Sequence, residues 1–165
     1  MASSRIVIDA CVLYDAAVRD LLLRLGSAGL IEPVWSGRIL DECFAALART
    51  RPDITEDQRH RLRGAMTRAF PRGAVPPTPV DIALPDPDDA HVVGTAIAAQ
   101  APRIVTYNLS DFPDEALTTI GLRAEHPDAL ATELLAAEPE RRNSSINAVI
   151  RWEHLPSHRN TRRST

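Results

Sequence analysis

Short apolar runs rich in β-branched residues alternate with helical stretches along most of this chain. Arg5–Asp9 reads as a buried strand, since Ile6, Val7 and Ile8 lead straight into a carboxylate. Leu30–Trp35, Val80–Leu84, Arg103–Thr106 and Leu122–Ala124 read as further short strands. Between them lie helical patterns over Val12–Leu25, Gly37–Arg49, Thr55–Phe70, Asp89–Gln100 and Asp114–Ile120. Ser36 is placed to cap the second of these helices, and Thr55 with Gln58 forms a capping-box pattern at the third. Such alternation implies an α/β fold, a mainly parallel sheet with helices on both faces in three layers. Ligands in such folds bind at the carboxyl ends of strands, where strand order reverses.

Four acidic segments stand where that geometry becomes important. They are the strand ending at Asp9, the Asp41-Glu42 pair within a helix, Asp86-Pro87-Asp88-Asp89 before a helix of small residues, and Asn108-Leu109-Ser110-Asp111 after a strand. Each alone has an ordinary explanation, as a helix cap, a solvated helix face or a proline-broken turn. Together they are costly, because carboxylates brought near one another repel and resist burial. A divalent cation relieves that cost, and hard oxygen ligands suit magnesium or manganese.

The composition removes other chemistries. Every basic residue apart from histidine is arginine, and the chain has no lysine. A P-loop and any lysine Schiff base are thereby excluded. Cys11 and Cys43 lack zinc-site spacing and form no disulfide framework, which leaves both as core-filling thiols in a reducing compartment. The net charge is −3, so charge as a whole does not mark a nucleic-acid binder. Arginine nevertheless gathers at 49–72 and 141–163, which would give an acidic site a basic rim. At 165 residues and 44% hydrophobic composition, one domain with a proper core is expected. No apolar run is long enough to span a bilayer and no leader precedes the first strand, so a cytoplasmic protein is expected.

The ordered set of motifs resembles the PIN-domain ribonucleases, of the kind found as VapC toxins in bacterial toxin–antitoxin pairs. The stretches that carry the resemblance are Ile6-Val7-Ile8-Asp9, Ile39-Leu40-Asp41-Glu42, Asp86 through Ala96, and Ile104 through Pro113. The last two are the specific ones. By this resemblance residues 1–126 form the PIN-like nuclease domain. Residues 127–165 form a C-terminal extension, with helices over Asp128–Ala137 and Pro139–Trp152 and a basic tail. The resemblance implies that Asp9, Glu42, Asp89 and Asp111 form the catalytic acidic set holding Mg²⁺ or Mn²⁺. It adds Asp86 as a further acid of one branch, and Thr106 as a supporting hydroxyl. Asn108 stands where many members carry aspartate, which removes one negative charge and bears on how many ions bind. The implied reaction is endonucleolytic RNA hydrolysis, leaving a 5′-phosphate and a 3′-hydroxyl. The implied partners are RNA and a small antitoxin protein, with dimers common in the family and no membrane role.

His91 follows Asp89 by two residues, roughly 200° around a helix, and is therefore expected to face away from the acids. Two alternatives stand beside the ribonuclease. One is a structure-specific DNA nuclease with the same site; the other is a catalytically silent PIN-like binding module. A haloacid-dehalogenase-type phosphatase also begins with an aspartate after a strand. It needs a second aspartate where this chain has Cys11, and a lysine the chain lacks.

Overall fold

The computed structural model describes residues 3–137. The expected helix over Pro139–Trp152 and the basic tail lie outside the described residues. In chain order the elements are β1 (Ser4–Ile8), α1 (Ala10–Tyr14), α2 (Ala16–Ser27), β2 (Ile31–Val34), α3 (Gly37–Thr50) and α4 (Glu56–Ala69). They continue with α5 (Ala90–Ala99), β3 (Arg103–Val105), α6 (Asp114–Thr118), β4 (Arg123–Glu125) and α7 (Pro127–Ala137). Single 3₁₀ turns at Pro87–Asp89 and Leu109–Asp111 carry two of the acidic segments.

The four strands form one parallel sheet in the order β2-β1-β3-β4. From β1 the chain crosses to β2 on one side and later returns to place β3 on the other, so strand order reverses between β1 and β3. Register pairs Ile6 with Pro33 on one flank and Val7 with Ile104 on the other. Proline is tolerated at position 33 because β2 is an edge strand. Ile6, Val7 and Ile8 are fully buried, as a strand covered on both faces requires. The core joins them to Trp35, Leu22, Ile39, Val92, Ile104, Phe112 and Leu130, so α7 contributes to the same core as the sheet.

Three expectations are corrected. The pattern over Val12–Leu25 is two helices, broken at Asp15. Its carboxylate accepts from the Ala17 and Val18 N–H groups at 3.1 and 3.3 Å and starts α2 afresh. An N-cap inside an apolar period is invisible to periodicity alone. Val80–Leu84 is not a strand, because the segment from Pro77 passes over α5 instead of pairing with the sheet. There the Thr78 N–H donates to the Gly94 carbonyl at 3.1 Å. That crossing also explains Gly94, where a Cβ would collide with the Thr78 carbonyl oxygen. Lastly, the final strand is shifted by a residue, to Arg123–Glu125.

Candidate active site

Asp9 follows β1 directly and is 8% exposed. Its N–H continues the ladder by donating to the Val105 carbonyl at 3.0 Å, which sets it beside the end of β3 at the switch point. The carboxylate is held on both oxygens. Oδ1 accepts from the Ala10 N–H at 2.8 Å, capping α1, while Oδ2 accepts from the Thr106 hydroxyl at 2.8 Å. Thr106 is fully buried, and its Oγ1 also accepts from the Asn108 N–H at 3.0 Å. One hydroxyl thus fixes both the first aspartate and the loop that leads to Asp111.

Asp89 ends the 3₁₀ turn before α5. The turn is capped by Asp86, whose Oδ1 accepts from the Asp88 N–H at 2.9 Å, so Asp89 is released from capping. Among the described residues no protein donor is assigned to its carboxylate. Its pKa is pushed up to about 6, first by burial and then by the charges of Asp9, Asp86, Asp111 and Glu42. The four segments therefore act on one carboxyl group. Glu42 enters from the exposed side of α3, and Asp111 from the 3₁₀ turn after β3. Asn108 is exposed on that same loop.

His91 corrects the expectation that it faces away. Its imidazole side chain is 7% exposed, and Nε2 stands 3.1 Å from Glu42 Oε1. Helical angle separates it from Asp89 alone; Glu42 arrives from α3, and that is the side His91 meets. Burial pushes the imidazole below its ordinary pKa, against the opposing pull of Glu42. Nε2 thus faces the Glu42 carboxylate, while Nδ1 is buried without a partner. Arg38 also reaches Glu42, through Nε at 3.1 Å.

Cys43 is core, as expected, but Cys11 is half-buried and touches the site. Its thiol is 3.5 Å from both Asp9 Oδ2 and Thr106 Oγ1. Burial and the Asp9 charge push that thiol up, so it stays protonated and acts as a weak donor. The sequence reading also missed Asp15. Beyond capping α2, its Oδ2 accepts from the Tyr107 hydroxyl at 3.2 Å, tying the loop after β3 to α2. A carboxylate followed by small residues that begin a helix is the signal that was available for it.

A cleft of about 360 Å³ opens beside Glu42, lined by Ala10, Cys11, Tyr14, Ala46 and Thr50. A second, of about 510 Å³, shares Cys11 and Tyr14 and extends to Arg19, Arg51 and Tyr107. Of the arginines expected at a basic rim, Arg63 is paired with Asp41 at 2.6 Å and Arg51 with Asp53 at 2.6 Å. Arg59 donates to the Ile54 carbonyl. Arg49, Arg61, Arg68 and Arg72 make no ion pair among the described residues, and Arg159, Arg162 and Arg163 lie outside them.

The donor set bears on metal chemistry. Among the described residues no group of three or more aspartate, glutamate, histidine or cysteine side chains is placed to hold a metal ion. The Asp89 carboxylate, without an assigned protein donor and within the influence of other carboxylates, is an oxygen donor of the kind a hard divalent cation takes. Magnesium keeps several waters and needs only one or two direct carboxylates.

A parallel sheet with acidic groups gathered at its switch point defines a class of α/β proteins with a charged cleft at the strand ends. Within that class, residues 5–110 match the model of the PIN domain family, well over half of the chain, and the chain belongs to that family. The match ends one residue before Asp111. A protein of Mycobacterium tuberculosis named "Putative ribonuclease VapC50" is 36% identical over 62 residues, which cover 38% of this chain and 37% of that relative. The chain thus spans little more than a third of that relative's length. No solved structure matches the chain at a significant level. Among the described residues no helix is long and apolar enough to cross a membrane.

Proposed function

We propose that the chain is a divalent-metal-dependent endoribonuclease and the toxin of a toxin–antitoxin pair. One observation carries this reading: Asp89 has no assigned protein donor and is lifted to about 6, with four other carboxylates acting on it. A fold gains nothing from that repulsion unless a cation or substrate group offsets it. Membership of the PIN family and the likeness to a relative named as a ribonuclease point the same way.

In this reading Asp9, Asp89 and Asp111 hold Mg²⁺ or Mn²⁺, with Asp86 adding charge at the edge. When bound, the ion lowers the pKa of water and offsets charge gathering on the phosphate. Thr106 keeps Asp9 in one orientation by its 2.8 Å hydrogen bond. Glu42 would reach the ion through a water from the α3 side, orienting that attacking water and accepting its proton. The water oxygen bonds to phosphorus as the P–O3′ bond breaks, and the departing 3′-oxygen takes a proton from solvent water, leaving a 5′-phosphate and a 3′-hydroxyl. No side-chain nucleophile takes part. Asn108 in place of a further aspartate lowers the negative charge of the site and favours fewer ions. The clefts beside Glu42 and Tyr14 give an RNA strand room to lie. An antitoxin protein would silence the enzyme by bringing a cationic group among the same carboxylates. Action in the cytoplasm and a homodimeric state belong to this same proposal.

The test uses purified protein, freed of any partner, incubated with total cellular RNA in Mg²⁺, in Mn²⁺ or in EDTA. Asp9→Asn runs alongside, since asparagine preserves the helix cap. Discrete metal-dependent cuts that vanish in the variant support the reading, and their ends name the target. Cuts that persist in Asp9→Asn at saturating Mn²⁺ would sink the site assignment. A folded protein that binds Mn²⁺ and cuts no RNA would sink the ribonuclease itself.

A further inference from the structure

We propose that His91 is a positioning residue, holding the carboxylate of Glu42 in one orientation at the acidic cleft; the proposal rests on the ribonuclease reading above. Glu42 has a partner on another helix although 42% of its side chain is open to solvent. A free glutamate on a helix surface samples several rotamers, and fixing it costs side-chain entropy. Two groups oppose that freedom, and they are unequal. Arg38 lies one turn back on the same helix and is 50% exposed, the usual solvated i,i+4 pair. It also leans toward Asp88 at 4.0 Å, so its attachment to Glu42 is divided. His91 comes from α5, is 7% exposed, and meets Glu42 Oε1 at 3.1 Å.

The histidine is poorly explained as ordinary core. Its Nδ1 is buried without a partner, a cost that a leucine or methionine there would avoid. What the imidazole gains in return is a single bond to an exposed carboxylate on another helix. That bond joins α3 to the start of α5, two residues after Asp89. The Thr95 hydroxyl, itself fully buried, donates to the His91 carbonyl at 2.8 Å. The donor is present in either ring form, because Nε2–H belongs to the neutral tautomer and to the imidazolium alike. Outer partners that orient a site carboxylate are commonly worth about 10–100-fold in metal affinity or activity.

The experiment compares His91→Leu, His91→Gln, Glu42→Gln and the His91→Leu/Glu42→Gln double variant with wild type. Three quantities are read: Mn²⁺ affinity by calorimetry, kcat and KM on RNA, and melting in EDTA. His91→Leu fills the volume without a donor and is expected to weaken Mn²⁺ about 10-fold and lower kcat about 10–100-fold, with KM little changed. His91→Gln, whose amide can donate at similar reach, should recover most of both. In the Glu42→Gln background His91→Leu should add nothing, since it acts through the group already removed. Should His91→Leu fail to fold, Glu42→Asp withdraws the carboxylate by one methylene and should show the same loss of affinity.

Equal Mn²⁺ affinity and kcat in folded His91→Leu overturn the proposal, as does a full additive loss in the Glu42→Gln background. Wild-type affinity in Glu42→Asp would count against it equally. Metal-dependent cutting by wild type with unchanged His91→Leu removes this proposal and leaves the ribonuclease standing. If wild type binds Mn²⁺ but cuts no RNA, the ribonuclease reading falls, and Mn²⁺ affinity alone decides the role of His91. Wild type that binds no Mn²⁺ overturns both.

Discussion

Replacing Asp89 with asparagine should stabilise the metal-free protein while removing its ability to gain from metal. In the folded chain the Asp89 carboxyl is raised from 3.8 to about 6. Two units at about 1.4 kcal/mol each would give roughly 3 kcal/mol as an upper bound. The group is only partly covered, so solvent screening reduces the expected value to about 1 kcal/mol. The sign follows from proton counting. Between 3.8 and about 6 the folded state keeps a proton that the unfolded state has lost. Wild-type stability from this group therefore falls as pH rises through that window and is flat above it. The Asp89→Asn variant carries no such loss, so the two proteins should have equal melting temperatures near pH 4. They should separate above pH 6, with the variant higher.

For a domain of this size about 1 kcal/mol corresponds to roughly 2–4 °C. In saturating Mg²⁺ or Mn²⁺ the order should reverse, because the ion stabilises wild type and finds one carboxylate fewer in the variant. Paired thermal melts in EDTA and in metal, at pH 4.5 and 7.5, read the difference between the two proteins in all four conditions. A variant that melts below wild type in EDTA at pH 7.5 would show that Asp89 is not under repulsion. A variant that gains as much from metal as wild type would show that it is not a ligand. Either result refutes the reading of this carboxylate on which the proposed function rests.

Wild type in metal at 100 times its Kd should gain about 2.7 kcal/mol over EDTA, and denaturant titration in the two buffers checks this. Thr106→Val removes the hydroxyl that serves both Asp9 and the Asn108 N–H, and should cost about 1–3 kcal/mol in urea unfolding. Cleavage should fall in step, and Thr106→Ser, which keeps the hydroxyl, should restore both. Gly94→Ala drives a methyl into the Thr78 carbonyl and should cost about 1–3 kcal/mol in the same assay. An unchanged midpoint would mean that the segment crossing α5 yields freely.

The α/β alternation and the parallel arrangement could be read from the chain because β1 and β3 are short β-branched runs with their apolar residues buried. Helices α1 to α4 likewise begin at a side chain that caps them. Ser36 accepts from the Ile39 N–H and Thr55 from the Gln58 N–H as their positions suggested, since capping is a local property. Asp9 was legible for the same local reason: a strand that ends in an acid at a switch point has only one place to put it. What could not be read depended on relations between elements. Asp15 broke a helix whose apolar period ran on undisturbed, and its bond to Tyr107 spans two distant segments. Gly94 belonged to a smooth run of small residues, and its own reason, the passage of Thr78, lies in a distant proline-rich segment. His91 shows the limit most clearly. Periodicity fixes where a side chain lies relative to its own helix, and it put His91 opposite Asp89. Which acid waits on that opposite side is decided by how α3 lies against α5, and no spacing along either helix contains that information. The positions of Asp9 and Asp89, each at the end of its own element, are therefore legible in the chain. The contact between His91 and Glu42 is hidden until the packing is known.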